Sequence, residues 1–274
     1  MSTEVGVLGA TGNVGQRFVQ LLEDHPWFEV GDLTASESSA GKPYEKAAGW
    51  RLETEMPEDV KGIQVGSTDP DSVSDDVEIV FSALPSDVAR EVEPAFAEEG
   101  YFVASNAGWA RMEDDIPLII PEINPGHLDL LEVQRDERGW DGAIVKNPNC
   151  SAITMTPTLA ALQELGLEKA TVATLQAVSG AGYTGVTSME ILDNVLPFIG
   201  SEEGKMENEP LKILGEFDGS EVESADLDIS ASCNRVPTID GHLENVWCEF
   251  DDDVDSEDAV EAMREFTTLD LPSA

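Results

Sequence analysis

Positive charge is what this sequence has least of. Lys and Arg number 15, seven of them Lys, against 56 Asp and Glu, for a formal net charge of −41. So few cations exclude nucleic acid held through counterion release, and they leave no polybasic face for an anionic membrane. Cysteine is scarce too. Cys150, Cys233 and Cys248 form no CxxC pair and no even framework, which points to a reducing, cytoplasmic setting. No basic stretch followed by a long apolar core opens the chain, so no signal peptide is expected. No apolar run approaches the length of a membrane span, and nothing repeats at a fixed period. No metal site is expected.

What is present is enough for a packed core: 41% hydrophobic residues, five Trp and nine Phe. The length suits about two domains. Acid is spread along the chain rather than gathered in a tail. That pattern predicts a protein adapted to concentrated salt, where the Debye length falls to about 3 Å at ~1 M. An unusually acidic mesophilic protein is the other reading.

The first half alternates strand and helix patterns. Val5–Leu8 is a short apolar run ending in glycine, followed by Val14, Phe18, Leu21 and Leu22 at helical spacing and a stop at His25-Pro26. Strands are expected at 28–35, 77–84, 101–105, 118–120 and 143–146, with weaker signals at 49–52 and 63–65, and a helix at 87–98. This βαβ rhythm predicts an α/β fold with an open parallel sheet covered by helices. From about residue 150 the texture changes. A helix is expected over 151–165, with Pro157 kinking it or marking its regular start. Strands are expected at 170–178, 227–230 and 242–250, and helices at 186–196 and 256–266. That suits a mixed sheet with helices on one face, a second domain of α+β type. The domains are therefore expected at 1–149 and 150–274.

Gly9-Ala10-Thr11-Gly12-Asn13-Val14-Gly15 joins the first strand to the first helix. Glycine lets a backbone approach a pyrophosphate, and the helix start offers free amides. The spacing is GxxGxxG rather than the usual GxGxxG. At the end of the second strand, where an acid would grip the ribose of NAD, stand Ala35 and Ser36, then Glu37, Ser38, Ser39 and Lys42. Small hydroxyls there favour NADP, with Glu37 cutting against it.

Asn147-Pro148-Asn149-Cys150-Ser151 places a cysteine after a strand and at a helix start, where free amides and the dipole favour thiolate. A structural cysteine in a tight turn is the alternative. A thiolate nucleophile needs an acid/base partner, and the histidines are His25, His127 and His242. His25 reads as a cap at a helix end and His127 as an exposed residue near a helix start. His242 follows a turn-rich loop containing Arg235 and suits an active site best. Cys248 reads as core.

These motifs together resemble the aspartate-β-semialdehyde dehydrogenases, especially their archaeal and fungal branch. The resemblance runs from Val5 to about Pro272 and rests on GATGNVGQ, ASESSAGK, FSALPSD, SNAGWARMEDDIPLIIPEIN, NPNCS, LQAVSGAGY, EEGKM and RVPTIDGH. It implies a Rossmann-like NADP-binding domain followed by an α+β catalytic and dimerisation domain, in a homodimer or homotetramer. The implied reaction reduces L-aspartyl-4-phosphate to aspartate semialdehyde with release of phosphate, on the way to lysine, threonine and methionine. It implies Cys150 as nucleophile, His242 as acid/base and Gln176 as the residue orienting the intermediate. Arg235 is implied for the substrate carboxylate, Glu202 for the amino group, and Lys205 and Arg111 for phosphate, with Asn106 beside them. Cofactor contacts are implied at Gly9, Thr11, Gly12, Asn13, Val14, Ser36, Ser39, Ser82, Ala83, Ser179 and Gly180.

Two departures stand out. Ser38 occupies a place where the family usually has Arg, which leaves the strictness of NADP preference open. Family members also continue past Ala274 with a further catalytic-domain segment and a helix covering the cofactor, so a truncated chain is expected. The other readings are an acylating reductase of another donor, such as malonyl-coenzyme A, and an inactive nucleotide-binding fragment.

Overall fold

In the computed structural model of the chain, residues 2–182 and 184–266 are described. The chain forms two compact units. The first takes residues 2–117 together with Leu128–Asn147; the second takes Leu118–His127 and residues 148–266.

The first unit is built on β1 (Thr3–Leu8), β2 (Phe28–Ala35), β3 (Gly66–Ser67), β4 (Ile79–Ser82), β5 (Phe102–Ser105) and β6 (Ala143–Lys146). They form one parallel sheet in the order β3-β2-β1-β4-β5-β6, the doubly wound arrangement. Its helices are α1 (Asn13–Leu22), the single turn α2 (Tyr44–Ala47), α3 (Ser86–Glu98) and α4 (Leu130–Arg138). Strands buried on both faces must be apolar throughout. Accordingly Val5, Val7, Leu33 and Val19 pack one core cluster, and Leu8, Val80, Phe96, Val103 and Ile144 another.

One buried ion pair sits inside this apolar frame. Lys146, at the end of β6, lies 2.5 Å from Glu93 of α3, and neither side chain has any solvent exposure. Glu93 also accepts from Ser82 Oγ and Ser105 Oγ, each at 2.6 Å, and from Trp109 Nε1 at 2.7 Å. Desolvation, opposed by the Glu93 charge, lowers the Lys146 ammonium to about 8.

The second unit contains α5 (Cys150–Leu162), β7 (Leu167–Gln176), the single turn α6 (Ser188–Ile191), α7 (Glu202–Ile213), β8 (Glu216–Phe217), β9 (Val222–Glu223), β10 (Asp228–Arg235), β11 (Leu243–Phe250) and α8 (Ser256–Glu265). Strands β10, β7 and β11 form a mixed sheet, β10 parallel and β11 antiparallel to the central β7. Its inner face packs Val172, Ala170 and Cys233 against Ala152, Met155 and Leu159 of α5 and Met206 of α7. The opposite face leaves Leu175, Leu243 and Trp247 exposed.

Several expectations need correction. No strand forms at 49–52 or 118–120, and the signal at 63–65 falls just before the short β3. The expected helix at 186–196 shrinks to α6, after which Leu196 bridges to Arg235 in antiparallel fashion. His127 is buried rather than exposed: its Nε2 lies 3.0 Å from the Gly215 carbonyl and its Nδ1 2.9 Å from Asn124 Nδ2. Burial lowers its pKa. His25 accepts the backbone amides of Trp27 and Phe28, so it caps the entry to β2 rather than the helix end. Cys248 is half-buried on the inner face of the sheet. Helix α5 runs through Pro157 without a break.

Candidate active site

In the first unit, β1 and β4 lie side by side where the strand order reverses, the usual place for a ligand crevice in an open α/β sheet. The Gly9–Gly15 loop ends β1 there. Gly9 has φ +78°, and a side chain on it would come within 3.0 Å of the Ala83 carbonyl oxygen at the end of β4. On Gly15, a Cβ would stand 2.3 Å from the Gly9 oxygen, so backbone and helix meet with no room for a side chain. Gly12 caps α1 without any side-chain cap, and no acid stands in the first turn. The first-turn amides are thus left for an external anion. This cradle fits the pyrophosphate of a dinucleotide.

Thr11, Asn13 and Val14 belong to the same turn, and Val14 is exposed. Ser36 and Ser39 stand just beyond β2; Ser36 Oγ is 3.0 Å from Ser38 Oγ, and Lys42 Nζ donates to the Ser38 carbonyl at 2.6 Å. Ser82 is different. Its hydroxyl is fully buried and donated to Glu93, so its side chain is turned into the core. Arg111 is also buried and donates through Nη2 to the Asn106 carbonyl at 2.8 Å.

The second unit brings Cys150, His242, Gln176, Glu202, Lys205 and Arg235 into one connected set. Cys150 is the first residue of α5 and exposed, and its Sγ lies 3.2 Å from His242 Nε2. The backbone N–H of Ala177 donates to His242 Nδ1 at 3.1 Å. An N–H can only donate, so Nδ1 must be the acceptor and the proton of the neutral ring sits on Nε2, facing the sulfur.

Asn149 holds the nucleophile's turn. Its Oδ1 accepts the amides of Ser151 and Ala152, capping α5. Its Nδ2 donates to Glu202 Oε1 at 2.9 Å, and its backbone N–H donates to Glu209 Oε2 at 2.6 Å. Glu202 and Glu209 lie seven apart on α7, about two turns, and so on one face. Gln176 Nε2 also donates to Glu202 Oε1 at 2.9 Å, while its own Oε1 accepts from Thr174 Oγ1 at 3.0 Å. Lys205 Nζ reaches Glu202 Oε2 at 3.2 Å. Burial alone would raise the Glu202 carboxyl, but the Asn149 and Gln176 hydrogen bonds and the Lys205 charge outweigh it and hold the group below its ordinary value. Glu202 is therefore a fixed anion at the centre of the set, with both oxygens engaged.

Arg235, buried at the end of β10, donates through Nη1 to the Ala177 carbonyl at 2.6 Å. A side chain on Gly180 would lie 3.0 Å from that Nη1, which fixes Gly180 as the wall behind the guanidinium. Ser179 sits beside it, its N–H donating to the Ile239 carbonyl at 3.1 Å. Val178 is tied in the same way to Thr238, and these bonds bind the loop leading to His242.

One expectation is reversed. The helix start was expected to favour the Cys150 thiolate. Desolvation and then the Glu202 carboxylate push the thiol up, and the amide and hydroxyl of Ser151 offset this only in part. The residues that sequence reasoning passed over are Asn149, Thr174, Ala177 and Glu209. The first carried a signal, an Asn directly before a helix. Ala177 acts through its backbone alone, and Glu209 lies on a helix whose Gly204 and Pro210 obscure its pattern.

The chain resembles known proteins along most of its length. Residues 4–131 match the family model of the semialdehyde dehydrogenase NAD-binding domain, and residues 159–272 that of the semialdehyde dehydrogenase dimerisation domain. The chain is 55% identical over 274 residues to the aspartate-semialdehyde dehydrogenase of Archaeoglobus fulgidus, covering 100% of this chain and 79% of that protein. To the Methanothermobacter thermautotrophicus enzyme of the same name it is 58% identical over 266 residues, covering 97% and 76%. The crystal structure of aspartate semialdehyde dehydrogenase with NADP from Candida albicans superposes with a TM-score of 0.87 at 40% identity, over 97% of this chain and 76% of that one. With both domain models matched in order and more than half of its residues identical to these archaeal enzymes, the chain belongs to the aspartate-semialdehyde dehydrogenase family.

Proposed function

We propose that the chain catalyses the NADP-dependent reductive dephosphorylation of L-aspartyl-4-phosphate to L-aspartate 4-semialdehyde through a thioester on Cys150. The observation that carries this reading is the Cys150–His242 contact at the head of α5, in a set anchored by Glu202. In this reading the thiolate sulfur attacks the acyl carbon, the S–C bond forms, and the C–O bond to phosphorus breaks as phosphate leaves with the electron pair. When bound, NADPH supplies the hydride that reduces the acyl group. His242 Nε2–H donates a hydrogen bond to the oxygen as it gains charge and, as the C–S bond breaks and the aldehyde departs, to the sulfur, which leaves as thiolate. Its Nδ1 stays fixed by Ala177 throughout.

The first unit holds the dinucleotide, with Gly9, Thr11, Gly12, Asn13 and Val14 around the pyrophosphate. Ala83 lines the same crevice, and Ser36 and Ser39 stand toward the 2′-phosphate. Ser179 and Gly180, in the second unit, are further cofactor contacts, with Gly180 backing the Arg235 guanidinium. In the second unit Arg235 takes the substrate carboxylate and Lys205 a phosphate oxygen; in the first unit Arg111, beside Asn106, is a phosphate ligand. Gln176 orients the acyl group. Glu202 recognises the amino group through its charge and fixes the nucleophile's turn.

The product enters lysine, threonine and methionine synthesis, and the enzyme works in the cytoplasm. Among the described residues no helix is long and apolar enough to cross a membrane. A homodimer or homotetramer forms through the second unit, and the exposed Leu175, Leu243 and Trp247 of its sheet support this, together with Met189, Leu192 and Phe198.

The direct test is NADP reduction driven by aspartate semialdehyde and phosphate in concentrated KCl. Turnover that requires phosphate is expected. Turnover with coenzyme A in place of phosphate, and none with phosphate, would instead assign a malonyl-coenzyme A type of donor.

Salt adaptation belongs to the same proposal, because 56 acids against 15 bases repel one another until screened. The melting temperature is expected to rise between about 0.1 M and about 3 M KCl, where the Debye length shortens severalfold. A steady fall over that range contradicts the adaptation.

A further inference from the structure

One half-buried acid in the second unit has no part in the chemistry above. Glu244 lies on β11 in step with Val246, Cys248 and Phe250, so strand alternation puts it on the inner face of the sheet, the one that packs on α5. Among the described residues, neither carboxylate oxygen of Glu244 has a hydrogen-bond partner, though both are shielded from solvent. The same is true of Ser151 Oγ, on the fully buried residue that follows the nucleophile. A native fold rarely strands three polar atoms in one place. The Ser151 hydroxyl stands near enough to both the Cys150 thiol and the Glu244 carboxyl to favour the charged form of each. It is the natural link between them.

The other groups around Glu244 leave it no alternative. Opposite it in register on β7 is Thr174, whose hydroxyl proton is committed to Gln176. From β10 comes Cys233, a buried thiol whose pKa is raised first by desolvation and then by charges that include Glu244. From α7, Glu202 and Glu203 are acids that act on the same thiol. Among the described residues no cation shifts Glu244: burial pushes its carboxyl up to about 7, opposed only by Ser151.

We propose that Glu244 is a positioning residue for the nucleophile: when protonated it donates to Ser151 Oγ, so that the Ser151 hydroxyl donates in turn to Cys150 Sγ. When Glu244 loses its proton to solvent, the carboxylate draws the Ser151 hydroxyl to itself and the sulfur loses a donor. The thiolate is then less favoured, and Cys150 reactivity rises with pH less steeply than a single thiol titration would give. The inference rests on Cys150 being the nucleophile, but it concerns the thiol before any substrate binds.

The experiment is alkylation of Cys150 by iodoacetamide in the intact protein, from pH 5.5 to 10, read by peptide mass so that Cys233 and Cys248 do not interfere. The unmodified protein is expected to show a shallower rise beginning near the Glu244 value of about 7. Glu244→Gln keeps a neutral donor and should restore a one-proton curve, with alkylation at pH 8 about three- to tenfold faster. Ser151→Ala should show the same profile whether residue 244 is Glu or Gln. Superimposable curves for the unmodified protein and Glu244→Gln overturn the proposal. So does a one-proton curve in the unmodified protein, which needs no variant to fold. Because alkylation requires no turnover, coupling without dehydrogenase activity would sink the functional reading alone. Activity without coupling would sink this one alone.

Discussion

Replacing Cys150 with alanine is expected to lower turnover by at least about 10⁴-fold, equivalent to some 5–6 kcal/mol of transition-state stabilisation. The size follows from the place of the sulfur in the reaction. Without it no covalent acyl intermediate forms, and the remaining groups can only bind and orient substrate. Stability should change little, since Cys150 is exposed and the cap of its helix comes from Asn149. Cys150→Ser should fall nearly as far, because a hydroxyl beside His242 is a far weaker nucleophile than a thiol. Steady-state assays of NADP reduction, with melting curves on the same samples, check both points. Retention of more than about a tenth of turnover in Cys150→Ala would remove Cys150 from the mechanism.

The second large effect is on stability. Lys146→Met is expected to cost about 3–5 kcal/mol by leaving the Glu93 carboxylate buried and without its cation. For a chain of this size, that corresponds to a melting temperature lower by roughly 10 °C. The loss comes from breaking the pair rather than from the pair's own attraction. Combining Lys146→Met with Glu93→Gln should therefore recover a large part of it. The amide oxygen of Gln can still accept from Ser82 and Ser105, which would otherwise be stranded in the core. If the double variant melts as low as Lys146→Met alone, the buried-charge account of this cluster is wrong.

How far the molecule could be read from its sequence depended on the kind of signal. Strands β2 and β6 fall at their expected boundaries, because apolar runs bounded by turn residues leave little choice. The segment after Tyr183 carries a misleading pattern. Val186, Ile191, Leu192, Val195 and Leu196 have helical spacing, yet Met189, Leu192 and Phe198 are exposed rather than packed as one helix face. Helix α7 was missed for the opposite reason: its sequence is acidic and interrupted by Gly204 and Pro210, and its role depends on burying Glu202 and Glu209 beneath Asn149.

The site divides in the same way. Cys150, His242 and the glycine cradle were legible because their chemistry demands those residue types beside a strand end or helix start. Asn149, Thr174 and Ala177 act through hydrogen bonds that exist only once β7, α5 and the His242 loop have come together. The direction of the Cys150 shift was misjudged for a similar cause. A helix start was visible in the sequence, whereas the Glu202 carboxylate that opposes it arrives from a residue 52 positions away, on α7.

The account turns on an acyl group carried by Cys150. The measurement closest to that claim is rapid-quench mass spectrometry of the protein mixed with L-aspartyl-4-phosphate in the absence of NADPH. One aspartyl group on the Cys150 peptide, formed together with one equivalent of phosphate, is the predicted result. Phosphate release at full enzymatic rate with Cys150 unmodified would contradict it.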